Sequence, residues 1–187
     1  MKNQKQIILK TVLSGLFLAL CIVLPFITVN APQLGSILLL MHIPVLLCGF
    51  VCGAPYGLAV GFIAPLLRSL LFQGPPMVPP MAPVMAFELA AYGFFCGLLY
   101  KLIKIKKPYN IYISLPASML IGRAVWGVAM YFAANVFAGF KDAFTLTAFI
   151  AGAFGTALPG IIIQLAIIPF LVVALETVIK KSGFKAQ

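Results

Sequence analysis

Apolar residues run along this chain in blocks of about twenty, broken by short segments of Gly, Pro, Asn and Lys. Six blocks stand out, over about 8–28, 37–53, 55–72, 83–103, 110–134 and 158–179. A helix of about twenty apolar residues crosses a hydrocarbon core of roughly 30 Å. Unpaired backbone groups are too costly to leave in lipid, so helices follow, and the alternation that barrel strands require is absent. The pattern predicts an all-α membrane protein with six transmembrane helices in one integral membrane domain over residues 1–187. The second and third blocks are short and meet at a tight Cys52-Gly53-Ala54-Pro55 turn.

Composition agrees, with 63% hydrophobic and only 9% charged residues. The formal net charge of +10 is informative through its placement. Lys2, Lys5 and Lys10 precede the first block, Lys101, Lys104, Lys106 and Lys107 follow the fourth, and Lys180, Lys181 and Lys185 follow the sixth. Six spans put all three clusters on one side, and the positive-inside rule makes that side the cytoplasm, with both termini there. The outer loops carry only Lys141 and Asp142. The basic excess is thus a topology signal for a plasma membrane protein, not a nucleic-acid patch. The first block has a basic flank, but its apolar run is long and only Val29-Asn30-Ala31 offers a weak cleavage pattern, so it reads as a span.

The outer loops differ in character. The first, about 29–36, holds Asn30, Pro32, Gln33 and Gly35. The second, about 73–82, contains Gly74-Pro75-Pro76-Met77-Val78-Pro79-Pro80, whose prolines make it a stiff wall or lid. The third, about 135–157, is apolar for a loop, and its 148–157 part either lies on the outer surface or extends span six. Within the spans Gly49, Gly53, Gly57 and Gly61 repeat every four residues, as do Gly93 and Gly97, a spacing for close helix packing inside the bundle. Ser14, Gly15 and Ala19 on span one instead suit a smooth face for a second membrane protein.

Catalytic machinery is missing. There is no nucleotide-binding Gly-x-x-x-x-Gly-Lys-Ser/Thr loop and no His-Glu-x-x-His. One histidine and few embedded acids leave little for acid–base chemistry or proton relays. The reading is therefore of a non-enzyme without cofactor. Cys21, Cys48, Cys52 and Cys96 lie within or at the ends of spans, and Cys48, Cys52 and His42 make too few ligands for a metal site.

The charges at membrane depth carry the chemistry, since each costs about 2.5–3.5 kcal/mol on the insertion scale. Arg68 falls in the outer third of span three, Glu88 about a turn below the outer end of span four, and Arg123 near the middle of span five. Trp126, Tyr131 and Asn135 follow Arg123 outward, Gln164 lies about two turns into span six, and His42 and Gln33 lie near the outer end of span two. Two arginines against one glutamate leave a positive charge that a monoanionic ligand neutralises, and arginine suits a carboxylate. Tyr92, Trp126 and Tyr131 offer walls for the pocket, and Asn135 and Gln164 are amides in need of partners. In the competing structural reading Arg68 pairs with Glu88 while Arg123 snorkels or caps helix ends, and the aromatics serve packing.

Three stretches carry a family resemblance. They are Leu38-Leu39-Leu40-Met41-His42-Ile43-Pro44-Val45-Leu46-Leu47-Cys48-Gly49, the run from Gly57 to Phe72 with Ala64-Pro65-Leu66-Leu67-Arg68, and Met85-Ala86-Phe87-Glu88-Leu89-Ala90-Ala91-Tyr92-Gly93. Together with chain size and the basic ends, they resemble substrate-binding S components of energy-coupling factor (ECF) transporters. The resemblance implies a subunit that binds a vitamin from outside and docks on a transmembrane scaffold subunit carrying two ATPase subunits. It implies an Ala-x-x-x-Ala docking face on span one, which here has Gly15 and Ala19. It also implies that the subunit topples to carry its pocket inward. The His-Ile-Pro-Val stretch most resembles pantothenate subunits, and pantothenate is a monocarboxylate with hydroxyl and amide groups. Riboflavin or a pyridoxine-like ring stacking on Trp126 stays open, as does a stand-alone transporter or channel.

Overall fold

The computed structural model describes residues 2–28, 39–77, 81–105, 109–136 and 158–181. Among them are six helices and no strand: α1 (Lys2–Val23), α2 (His42–Cys52), α3 (Ala54–Phe72), α4 (Met81–Leu102), α5 (Tyr109–Val136) and α6 (Leu158–Lys181). A 3-10 turn over Leu24–Thr28 continues α1. Gln33, the 29–36 loop, residues 78–80, Lys106, Lys107, Lys141, Asp142, residues 137–157 and Lys185 lie outside the described residues.

Five helices are long and apolar enough to cross a membrane, and α2 is not. Its 11 residues span about 16 Å, half a hydrocarbon core. The expected span over 37–53 is therefore corrected to a short helix. Leu39, at φ 50°, precedes it, and Gly53 at φ 109° ends it, a backbone conformation open to glycine. All of α2 except Ile43 is buried, because α1, α3, α4 and α6 all pack against it. A helix apolar all round belongs in a core.

Neighbouring side chains give the direction of each helix. Ser14 meets Cys48 and Cys21 meets Met41, so α1 runs against α2. Gly57 abuts Gly93 and Gly61 abuts Leu89, so α3 runs against α4. Arg123 meets Glu88 and Asn110 meets Tyr100, so α5 also runs against α4. Tyr100 meets Glu176, while Gln164 meets Leu39 just ahead of α2, so α6 runs with α4 and α2. This alternation gathers Lys5, Lys10, Lys101, Lys104, Lys180 and Lys181 at one end of the bundle and His42, Arg68 and Glu88 toward the other.

The glycines explain the tightness of the centre. A Cβ on Gly49 or Gly57 would run into the Gly93 carbonyl, and one on Gly61 into the Leu89 carbonyl. Backbones can touch there because nothing larger than hydrogen intervenes, and in lipid such contact replaces the hydrophobic drive. At the lysine-rich end the Asn110 amide donates to the carbonyls of Tyr100 (2.8 Å) and Ile103 (2.7 Å), closing the α4–α5 connection. The Tyr100 hydroxyl donates to Glu176 Oε1 at 2.9 Å and ties α4 to α6.

Candidate functional site

At the opposite end, four polar side chains from three helices meet inside the apolar bundle. Glu88 comes from α4, Arg123 from α5 and His42 from the first position of α2, and they are 2%, 6% and 3% exposed. Arg123 Nη1 lies 2.9 Å from Glu88 Oε1, and His42 Nε2 lies 3.8 Å from the same oxygen. The fourth is Tyr92, one turn along α4 from Glu88 and on the same face. Its ring meets the His42 imidazole edge to face, with centroids 5.3 Å apart. It lies flat against Gly122, whose absent side chain makes the room, since a Cβ there would stand 2.7 Å from Tyr92 Cε1. Its hydroxyl faces both Glu88 and Arg123.

The cluster is charged, buried and incompletely bonded. Both His42 ring nitrogens and Arg123 Nε and Nη2 are buried without a hydrogen-bond partner among the described residues, and Glu88 Oε1 has no contact shorter than its ion pair with Arg123 Nη1. Buried polar groups ordinarily have partners, and leaving one unmade costs about 1–3 kcal/mol. Concentrated at one point, such groups mark a place able to hold a polar molecule.

Gln164 connects to this cluster through the backbone. It is 1% exposed, and its Nε2 donates to the Leu39 carbonyl at 3.4 Å. That carbonyl also accepts from the His42 N–H at 2.9 Å. Gln164 thereby holds the turn that starts α2 and carries His42.

Other expected members are elsewhere. Arg68 does not pair with Glu88, because Arg123 occupies the carboxylate. Its guanidinium lies over the Phe26 ring, 5.9 Å from the centroid, with Nε buried and unpartnered among the described residues. The ion-pair reading with Arg123 snorkelling is thus corrected. Asn135 is exposed and its amide donates to the Tyr131 carbonyl at 2.8 Å, within its own helix. Tyr131 is 60% exposed. Trp126 is half-buried and engaged with a neighbour. The sequence reading missed how central Tyr92 is, although its four-residue spacing from Glu88 was a signal, and it missed Gly122 and the Leu39 carbonyl, which carry none.

A second feature flanks the cluster. A cavity of about 770 Å³ lies between α4 and α5, lined by apolar side chains including Met77, Val84, Phe87, Val128 and Phe132. On α1, Gly15 and Ala19 are exposed, and a Cβ on Gly15 would meet nothing within 4 Å. Ser14 turns inward: its hydroxyl donates to the Lys10 carbonyl at 2.6 Å and lies 3.7 Å from Cys48 Sγ. It therefore stands apart from the open face formed by Gly15 and Ala19.

Over residues 9–174 the chain matches the model of a protein family described as ECF transporter, substrate-specific component. No curated protein and no solved structure matches it.

Proposed function

The chain belongs to the substrate-specific components of ECF transporters, and on that premise we propose that it captures a small anionic vitamin, pantothenate above all, at the His42–Glu88–Arg123 cluster. Membership makes it a multi-pass plasma membrane protein that binds a small molecule for transport with scaffold and ATPase subunits. The lysine-rich end faces the cytoplasm by the positive-inside rule, so the cluster opens to the outside. ATP hydrolysis resides in two partner ATPases on a transmembrane scaffold, which docks on the Gly15 and Ala19 face of α1.

One observation carries the reading: three charged or polar side chains, all more than nine-tenths buried, keep unused hydrogen-bonding atoms at a single point. Pantothenate has hydroxyl and amide groups to engage them. Gln164 supports the site from behind rather than touching ligand, and Asn135, Tyr131 and Trp126 belong to its rim.

The test is a thermal-shift panel of vitamins on the detergent-purified chain. A ligand at a thousandfold excess over its dissociation constant stabilises by about 4 kcal/mol. Pantothenate is expected to raise the melting temperature, and Arg123→Ala to weaken binding about tenfold or more while the protein still inserts. Stabilisation by riboflavin or a pyridoxine-like compound instead would reassign the substrate. No stabilisation by any vitamin, or unchanged affinity in Arg123→Ala, would overturn the site.

A further inference from the structure

We infer that the cluster recognises the uncharged, hydroxyl-bearing end of its ligand and leaves the ligand's carboxylate at the level of Arg68. This rests on the proposed vitamin-binding site and specifies how the ligand lies in it. The first argument is charge. Arg123 and Glu88 sit 2.9 Å apart and cancel, so the pair offers no net charge to an anion. A carboxylate brought to Arg123 would stand beside Glu88, and two like charges in a buried site repel strongly.

The second argument is the pattern of open atoms. Arg123 Nε and Nη2 can only donate, Glu88 Oε1 can only accept, and the His42 ring presents two open nitrogens beside them. Donors and acceptors side by side match a group that does both. A hydroxyl donates to Glu88 while accepting from Arg123, whereas a carboxylate only accepts and would set a second acceptor beside Glu88.

The third argument is distance. The register in which Gly57 faces Gly93 and Gly61 faces Leu89 continues along the antiparallel pair and sets Arg68 level with Ala82. From residue 82 to residue 88 is about 9 Å of helix. Arg68 lies one turn beyond Ala64 and two beyond Gly61 on α3, its guanidinium over the Phe26 ring and its Nε unpartnered among the described residues. An extended pantothenate, with hydroxyls at one end and its carboxylate at the other, is long enough to reach from the cluster to that level. Arg68 is only half-buried, so the carboxylate there keeps part of its hydration and contributes modestly.

The experiment compares three probes on the purified chain by isothermal titration calorimetry. They are pantothenate, its analogue with CH2OH in place of the carboxylate, and an analogue lacking the hydroxyl groups. A site built for hydroxyls rejects a molecule without them far more than one lacking a charge it hardly sees. The alcohol is expected to bind within about tenfold of the acid, and the deoxy analogue about a hundredfold or more weaker. The reverse order overturns the inference and leaves the vitamin-binding reading standing. Binding of none of the three overturns both together. Glu88→Gln is a second arm: it leaves Arg123 unpaired, so the acid should gain on the alcohol by about tenfold. An unchanged ratio in a folded Glu88→Gln protein also counts against the inference, and the wild-type comparison stands if that variant fails to fold.

Discussion

At Gly122 a missing methyl group positions an aromatic ring. Tyr92 lies across that glycine and from there reaches His42, Glu88 and Arg123. Gly122→Ala puts a Cβ 2.7 Å from the ring, which cannot stay where it is. Alanine is otherwise favourable in a helix, so the backbone itself has no reason to object. The expected outcome is ligand binding weakened about tenfold with little loss of helix content, measured by titration and circular dichroism. Adding Tyr92→Leu, which removes the obstructing ring, should leave no further effect of Gly122→Ala. Full affinity in the single variant would remove Tyr92 from the site's architecture. Residue-scale reading of the sequence singled out His42, Glu88, Arg123 and Gln164, which are buried in the structure, because polar groups in apolar runs are conspicuous. It could not see that the Asn135 amide bonds within its own helix, nor which arginine meets Glu88.

Helices α2, α3 and α4 form a unit whose contacts are backbone on backbone. The four-residue glycine spacing read from the sequence puts Gly49, Gly57 and Gly61 against α4, with Gly97 against Ala54 and the Gly49 carbonyl. Gly93→Ala drives a Cβ into the Gly57 backbone, which unlike a flexible side chain cannot yield. Overpacking of this kind costs about 1–3 kcal/mol, occasionally more. A lowered melting temperature in detergent should report it, with a broadened peak on size exclusion for the larger Gly93→Val. An unchanged melting temperature for both would mean the helices separate easily. The same unit explains why α2 is short. Wrapped by four helices, it has no lipid to span, and residues on either side of it take positive φ.

On the scale of the whole molecule, the two ends and one flank of the bundle have different chemistry. The lysines lie at one end and the buried cluster toward the other, so the cluster and the basic end are well separated along the helices. The flank is α1, where Gly15 and Ala19 lie in an exposed apolar surface with Ile8, Val12, Leu16 and Val23. If the scaffold docks there, a bulky residue obstructs it without touching the cluster. Gly15→Leu and Ala19→Leu are expected to abolish uptake in cells or vesicles containing the scaffold and ATPases, while pantothenate binding to the purified chain is unchanged. Normal uptake by both variants would reject α1 as the docking face.

The chain by itself determined that helices form in a membrane, where their basic ends gather and which polar residues stand out, because those follow from local composition and from the cost of bare backbone and charge in lipid. Glycine spacing also foretold where helices touch. Only the tertiary structure decided that Arg123 rather than Arg68 neutralises Glu88, that α2 is a buried half-length helix, and that Tyr92 and the Leu39 carbonyl join the polar cluster. Pairing depends on helix rotation and register, which are set by where Gly57, Gly61, Gly93 and Gly122 allow close approach. A rotation of one residue, about 100° on a helix, exchanges one partner for another without changing the hydrophobicity of any span.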